Sequence, residues 1–214
     1  MIEIKNLTKN YNKDFSALLN INHSFKEPLT MICGIEGAGK TTLLNILAGL
    51  DTSYSGKVTI HGKDRKEIKN QEMLISYIME KPVFFERKSV MKNLQYVFKV
   101  QGIDHKSKES VEKIRYISNE LGFLDSLSKP LKKCAVYVRA LVGLARAYLK
   151  NSTILLIDEP LKQMISQEKL AYLQKLNWLI NKLSCTTIVA ETVQNWGLFG
   201  GVEVIKLDFG TKVE

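Results

Sequence analysis

The amino-acid sequence predicts an α/β fold with a mainly parallel sheet, an added antiparallel β layer and a helical subdomain. Continuous apolar runs at residues 29–33 and 153–157 are typical of strands buried on both faces. Strands and helices alternate over much of the chain, as in parallel sheets. Residues 88–150, in contrast, are mostly helical in pattern.

The first third of the chain contains most of the predicted strands. Before the first helix, alternating segments predict an antiparallel pair of strands, and a buried strand follows them. A glycine-rich break leads into a helix that Gly49 closes. Turn residues flank the next strand, and a second buried strand comes after it. These strands are predicted at residues 1–6, 17–25, 29–33, 55–62 and 73–79.

The rest of the chain is predicted to hold the helical subdomain and the remaining sheet. We expect helices at residues 89–100, 106–122, 135–148 and 167–183. Strands are expected at residues 153–157, 186–190 and 201–207, the last being the final strand. With no linker or repeat in the sequence, we expect a single domain over residues 1–214, with the helical subdomain inserted at about 81–135.

Composition excludes several classes of protein. The chain has 214 residues and is 45 % apolar, which is enough for one buried core. Its three cysteines, Cys33, Cys134 and Cys185, are far apart, which argues against a disulfide framework or a zinc site. The N-terminus lacks a signal-peptide pattern, and no stretch approaches the ~18 apolar residues of a membrane span. We therefore expect a soluble cytoplasmic protein that can sit against a membrane protein.

The formal charge of +9 allows two interpretations. Such a charge can attract nucleic acid or an anionic membrane face. The lysines are spread along the chain without interleaved aromatic residues, which favours a solvated surface over a nucleic-acid site.

The strongest motif is a phosphate-binding loop. Gly34, Gly39, Lys40 and Thr41 match G-x-x-x-x-G-K-[ST] between a buried strand and a helix. Glycines let backbone N–H groups approach phosphates, and the helix N-terminus adds a positive dipole end. Lys40 would reach the outer phosphates of ATP, and the Thr41 hydroxyl would bind Mg²⁺. The predicted cofactor-binding segment is Gly34, Ile35, Glu36, Gly37, Ala38, Gly39, Lys40, Thr41 and Thr42.

An acidic pair provides the second half of the predicted site. In ILLIDEP, residues 154–160, a buried strand ends in two carboxylates, Asp158 and Glu159. Behind a phosphate loop, the first carboxylate is predicted to hold Mg²⁺ through water, and the second to orient and deprotonate the attacking water. Glu159 is therefore the predicted catalytic residue.

Together these motifs resemble the ABC-type ATPases over nearly the whole chain. The opening strand resembles the family's, which ends in an aromatic residue that stacks on adenine, here Tyr11. Residues 43–62 and 143–149 are similar to segments that follow the phosphate loop and precede the acidic strand. The resemblance implies a RecA-like core and a helical subdomain that docks on a transmembrane partner. Residues 43–51 look most like those of bacterial exporters.

The sequence departs from the family pattern at four places. Glu80 stands where the family has a glutamine that contacts Mg²⁺, and residues 134–138, CAVYV, replace the signature LSGGQ. Residues 161–165, LKQMI, replace an SALD-like segment. Glu191 replaces the switch histidine, and it is expected to bring a negative charge towards the γ-phosphate. The three histidines, His23, His61 and His105, lie elsewhere.

The resemblance implies a nucleotide-binding subunit of a membrane transporter that hydrolyses ATP-Mg²⁺. Integral membrane chains and a second ATPase subunit are the expected partners. Because Val136 and Tyr137 replace two signature glycines, we expect a heterodimer whose other chain carries an intact LSGGQ. A slow homodimer, a regulatory subunit with little hydrolysis and a soluble non-transport ABC protein remain alternatives.

Overall fold

The computed structural model describes residues 1–12, 16–68, 75–192 and 202–213. Its first part is a four-stranded antiparallel sheet in the order β2-β1-β4-β5. The strands are β1 (Ile2–Asn10), β2 (Ser16–Phe25), β4 (Ser55–Ile60) and β5 (Lys63–Asp64). This is the predicted antiparallel layer. The two-residue strand β5 was not predicted, because it is too short to show a period.

The main sheet has six strands in the order β10-β9-β3-β8-β7-β6. They are β3 (Leu29–Cys33), β6 (Ile75–Ile78), β7 (Ile154–Asp158), β8 (Thr186–Glu191), β9 (Glu203–Asp208) and β10 (Thr211–Val213). All neighbours are parallel except β9 and β10. Parts of two predicted strands, residues 73–74 and 201, lie outside the described residues.

The prediction that residues 201–207 form the last strand was wrong. A further strand, β10, follows a tight turn at Phe209 and Gly210, both of which have positive φ. It pairs antiparallel with β9 through Thr211, Lys212 and Val213. Three residues are too few for alternation to reveal a strand, so the sequence pattern did not indicate it.

Besides two short 3₁₀ helices, Leu124–Ser126 and Leu131–Lys133, the described fold has five α-helices. They are α1 (Lys40–Ala48), α2 (Val90–Val100), α3 (Lys108–Leu121), α4 (Val136–Lys150) and α5 (Ser166–Leu183). The Ser89 and Ser107 hydroxyls cap the N-termini of α2 and α3, and Gly49 ends α1 in the left-handed conformation. Helices α2, α3 and α4 pack on one another. None of the helices in the described ranges is long and apolar enough to span a bilayer.

The main sheet separates two hydrophobic cores. Ile32 and Leu156 face the core shared with the antiparallel sheet and α1. Met31 and Leu155, their neighbours in β3 and β7, face the core shared with the helical subdomain. Because successive side chains of a strand point to opposite faces, these strands must be apolar throughout. Their carboxyl ends lie at one edge of the sheet, where the site is built.

Candidate nucleotide site

The phosphate loop lies between β3 and α1 at the carboxyl edge of the main sheet. Its last residue, Gly39, is the N-cap of α1 and has a φ of 95°. A Cβ at Gly39 would lie 2.3 Å from the Ala17 carbonyl oxygen, a separation that real contacts do not tolerate. Glycine is therefore required here both by the left-handed backbone and by the close approach of β2.

Lys40 is anchored inside this loop. Its side chain is only 4 % exposed, and Nζ donates hydrogen bonds of 2.9 Å to the carbonyl oxygens of Gly34 and Ile35. The same ammonium lies 3.4 Å from Glu159 Oε1. The loop thus holds a buried positive charge at the N-terminus of α1, which favours an anionic ligand.

Asp158, the last residue of β7, is 3 % exposed. Burial raises the pKa of this carboxyl, while contact with the Thr41 hydroxyl acts in the opposite direction. The Tyr77 hydroxyl donates to Asp158 Oδ2 at 3.3 Å, and Oδ1 has no hydrogen-bond partner among the described residues. A buried carboxylate oxygen without a partner, beside a threonine hydroxyl, suits a hydrated Mg²⁺.

Glu159 directly follows β7 in an unusual backbone conformation, with a φ of 43°. Its N–H donates to the Ala190 carbonyl oxygen at 2.9 Å, which fixes the turn against β8. The carboxylate is 8 % exposed, and its oxygens lie 3.4 Å from Lys40 Nζ and 2.9 Å from Lys162 Nζ. A strained, non-glycine backbone at such a position is typical of functional sites.

Lys40, Thr41 and Glu159 border one open cavity of about 330 Å³, whereas Asp158 is not among its lining residues. It brings together the phosphate loop, the acidic strand end and two residues from other segments, Glu80 and Lys162. Among the described residues, no cluster of three or more His, Cys, Asp or Glu side chains could hold a metal alone. Thr41, Asp158 and Glu80 are the residues predicted to hold a magnesium ion, together with water and phosphate oxygens. The lining residues are Ala17, Glu36, Gly37, Ala38, Gly39, Lys40, Thr41, Thr42, Glu80, Glu159 and Lys162.

Tyr11 lies just beyond β1, close to the start of α1. Its hydroxyl is 3.3 Å from Thr42 Oγ1, and Lys9 Nζ lies 4.9 Å from its ring centroid. The ring is 56 % exposed. The structure therefore places this aromatic ring beside the phosphate loop, and its stacking on adenine stays a prediction.

Comparison with known proteins identifies the family. The profile described as "ABC transporter" matches residues 19–162, more than half of the chain. The chain belongs to the ABC transporter family. A tungstate uptake system ATP-binding protein, TupC of Peptoclostridium acidaminophilum, is 33 % identical over 89 % of this chain and 86 % of its own length.

Other ABC relatives are also named for import. The probable sulfate/thiosulfate import ATP-binding protein CysA of Chlorella vulgaris is 29 % identical over 100 % of this chain and 89 % of its own length. Some are longer, since the chain spans 60 % of the CysA protein of Acinetobacter baylyi and 52 % of the molybdate/tungstate protein WtpC of Methanocaldococcus jannaschii. These relatives support an ATP-binding transporter subunit. They give no support to the expectation of an exporter.

Solved ABC cassettes share the fold. A dimeric bacterial ABC transporter cassette superposes with a TM-score of 0.87 at 23 % identity, covering 100 % of this chain and 97 % of that one. A dimeric post-hydrolysis cassette bound to ADP and Pi gives 0.85 at 24 % identity, with the same coverage. The predicted fold class is thereby confirmed.

The segment in the place of the ABC signature forms the start of α4. Ala135 is its N-cap without a side-chain hydrogen bond, and Val136 and Tyr137 are the first helical residues. Val136 is 45 % exposed, whereas Tyr137 is half-buried against the helical core. We expected the tyrosine ring to obstruct an approaching phosphate. The structure instead leaves Val136 as the more exposed of the two side chains.

Glu191 is placed differently from our expectation. It ends β8 and is fully buried, and its Oε2 accepts a hydrogen bond of 3.3 Å from the Leu161 N–H. Its Oε1 accepts from the Thr192 N–H at 2.8 Å. The carboxylate thus binds the backbone of the segment after the acidic pair and does not line the cavity. Among the described residues, the partners of this carboxylate are backbone N–H groups and the Thr192 hydroxyl.

Sequence analysis did not single out Lys162 or Tyr77. Lys162 Nζ contacts carboxylates of Glu36 and Glu80 as well as that of Glu159. These contacts join residues from three separate segments, so no local motif indicates them. The one available signal was Lys162 itself, a cation within a segment that departs from the family pattern.

Proposed function

We propose that this chain binds and hydrolyses ATP-Mg²⁺ to energise an import system at the cytoplasmic face of a membrane. The observation that carries the proposal is the joint lining of one cavity by phosphate-loop residues, among them Lys40 and Thr41, and by Glu159, which follows the buried Asp158 in the chain. The names of the relatives support import rather than export.

Each residue has a role that follows from its surroundings. Lys40 would bind the outer phosphates, and the N–H groups of the loop would cradle them. Thr41 and Asp158 would hold Mg²⁺, which would neutralise charge on the phosphates. Glu159 would orient and deprotonate the attacking water, since it is the remaining carboxylate that reaches the cavity from β7. Glu80 would contact the same ion or its water.

A second groove supports a membrane partner. It has a volume of about 530 Å³ and lies between β6 and the helical subdomain. Exposed apolar side chains line it, among them Val83, Phe85, Tyr96 and Val100. In the family that the sequence resembles, the helical subdomain docks on the transmembrane chain. Co-purification with integral membrane chains distinguishes this role from that of a soluble ABC protein.

The first experiment measures ATP affinity. Lys40→Ala removes a charge-assisted contact to phosphate worth roughly 1.5–3 kcal/mol, so ATP-Mg²⁺ should bind about ten- to a hundredfold more weakly by calorimetry. Lys182→Ala, an exposed change at the far end of α5, is the matched control. Unchanged affinity in a folded Lys40→Ala protein would contradict the proposed nucleotide site.

A regulatory subunit that binds ATP without efficient turnover is the second candidate function. It is favoured by the replacement of the signature glycines with Val136 and Tyr137 at the start of α4. Both candidates require ATP binding. They differ in whether phosphate is released over many turnovers when the membrane chains are present.

A further inference from the structure

Lys162 connects three segments of the nucleotide site. Its Nζ lies 2.9 Å from Glu36 Oε1 in the phosphate loop and 3.2 Å from Glu80 Oε1 after β6. It also lies 2.9 Å from Glu159 Oε2. All four residues line the same cavity. No other cation described in the structure contacts three carboxylates in this way.

The charge balance of the cavity depends on this lysine. Glu36, Glu80 and Glu159 face it with carboxylates, and Lys40 and Lys162 provide the positive charges. Without Lys162, Lys40 alone would offset the negative charges of the three carboxylates. Like charges at such distances oppose the entry of a polyphosphate. The same three carboxylates raise the pKa of Lys162, so its ammonium is charged at neutral pH.

We propose that Lys162 is a second cation of the nucleotide site, which offsets the three carboxylates and allows the terminal phosphate of ATP to bind. The inference rests on the proposed function and adds a specificity-determining residue to it. The side chain is partly exposed and carries a compact charge on a flexible stem, so it can move between carboxylate and phosphate oxygens. Lys162 would thus favour a triphosphate over a diphosphate.

Two rival roles make different predictions. Lys162 could instead hold Glu159 in an ion pair that hinders the entry of nucleotide. In that case, removal of the lysine side chain should strengthen nucleotide binding. It could also be a surface ion pair of little consequence, as exposed pairs often are. Its removal would then leave binding unchanged.

The experiment compares the affinities of a non-hydrolysable β,γ-imido analogue of ATP and of ADP, each with Mg²⁺, by calorimetry. Lys162→Met removes the charge and keeps the length, Lys162→Arg keeps the charge, and Lys182→Met is the control. We expect Lys162→Met to bind the triphosphate about tenfold more weakly, as for the loss of a charge-assisted contact, and ADP to be affected less. Lys162→Arg should stay within about threefold of the parent.

A charge rescue tests the electrostatic cause. Adding Glu36→Gln to Lys162→Met removes one of the carboxylates that the lysine offsets, so part of the lost affinity should return. Lys162→Gln serves the same purpose if the Met protein does not fold. Equal or tighter triphosphate binding by the folded Met or Gln protein overturns the role of Lys162. Failure of the parent protein to bind either nucleotide instead overturns the proposed function itself.

Discussion

Asp158 and Glu159 are adjacent in sequence but lie in different environments. Asp158 still belongs to β7, where burial raises the pKa of its carboxyl and Tyr77 donates a hydrogen bond to it. Glu159 lies one residue later, and its positive φ turns its carboxylate towards Lys40 and Lys162. A chain turn at a strand end therefore places the two carboxylates in different surroundings, which is the basis for proposing Asp158 as a metal ligand and Glu159 as a base.

Replacing Glu159 with Gln tests this division of roles. Gln keeps the shape and loses the base, so ATP should bind and persist instead of being hydrolysed. The measurement is the fraction of bound nucleotide that remains ATP after a single-turnover incubation. Glu168→Gln, a change of the same kind in the first turn of α5, is the control. Turnover by Glu159→Gln at the parent rate would show that another group is the base.

Tyr11 allows stacking to be separated from hydrogen bonding. Tyr11→Phe loses the hydroxyl, which contacts Thr42, and keeps the ring, so we expect an almost unchanged ATP affinity. Tyr11→Ala loses the ring and should cost about 1 kcal/mol or more, by analogy with stacking on nucleic-acid bases. Calorimetry with ATP provides the comparison. Equal affinities of the Phe and Ala proteins would mean that the ring does not contact the base.

At the level of elements, polar contacts of a buried side chain join α2, α4 and the segment that follows β6. Asn93 of α2 is fully buried, and its Oδ1 accepts from the Phe85 N–H and from the Arg146 guanidinium of α4, both at 3.0 Å. Its Nδ2 donates to the Phe85 carbonyl oxygen at 3.1 Å. Burial lowers the pKa of Arg146 to about 10, and its guanidinium lies 4.4 Å from the ring centroid of Phe84.

Asn93→Ala should therefore destabilise the fold. The change removes the acceptor of the Phe85 N–H and one partner of Arg146, while Arg146 still donates to the Val83 carbonyl oxygen and the Phe85 carbonyl still accepts from the Lys88 N–H. We expect the loss to cost about 1–3 kcal/mol. Urea unfolding measures this loss, and Asn119→Ala, at an exposed position of α3, is the control. A loss as small as that of the control would mean that water replaces the amide.

Sequence patterns predicted the longer elements but not the short ones. Helix α5 begins one residue before its predicted start, and β3 matches the prediction because a buried run between turn signals is unambiguous. The strands β5 and β10 were missed because two or three residues carry no period. Lys162 was missed for a different reason, since its role depends on contacts between segments distant in sequence.

At the level of the whole molecule, the hydrophobic periodicity of the sequence does not indicate the order of the strands within the main sheet. β8 lies between β3 and β7 although it follows both in the chain, and all three are apolar runs that look alike in sequence. Only the resemblance to a known family could imply that order. The phosphate loop and the acidic pair were recognisable because each is a local motif, and the parallel sheet then places both at one edge.

The last prediction concerns the second ATPase subunit. In the resembled family, each phosphate loop faces the signature of the other subunit. In this chain, residues 134–138 replace the signature and contain no glycine. Val136 is exposed at the start of α4, and its Cβ would intrude on a phosphate that approached this position. A homodimer would have this valine at both of its nucleotide sites. We therefore expect this chain alone to hydrolyse ATP slowly and a partner with an intact LSGGQ to accelerate it.

Purified chain provides the measurement, through its stoichiometry by light scattering and its rate of phosphate release. We expect well below about 1 s⁻¹, the lower end of the usual range for enzymes. The partner subunit, added at equal concentration, should raise that rate and form a heterodimer. The matched control is the partner with its LSGGQ glycines changed to alanine, which should bind without accelerating hydrolysis. A homodimer of this chain that turns over ATP at about 1 s⁻¹ or faster would refute the asymmetric arrangement, because the Val136 side chain would then be compatible with a productive site.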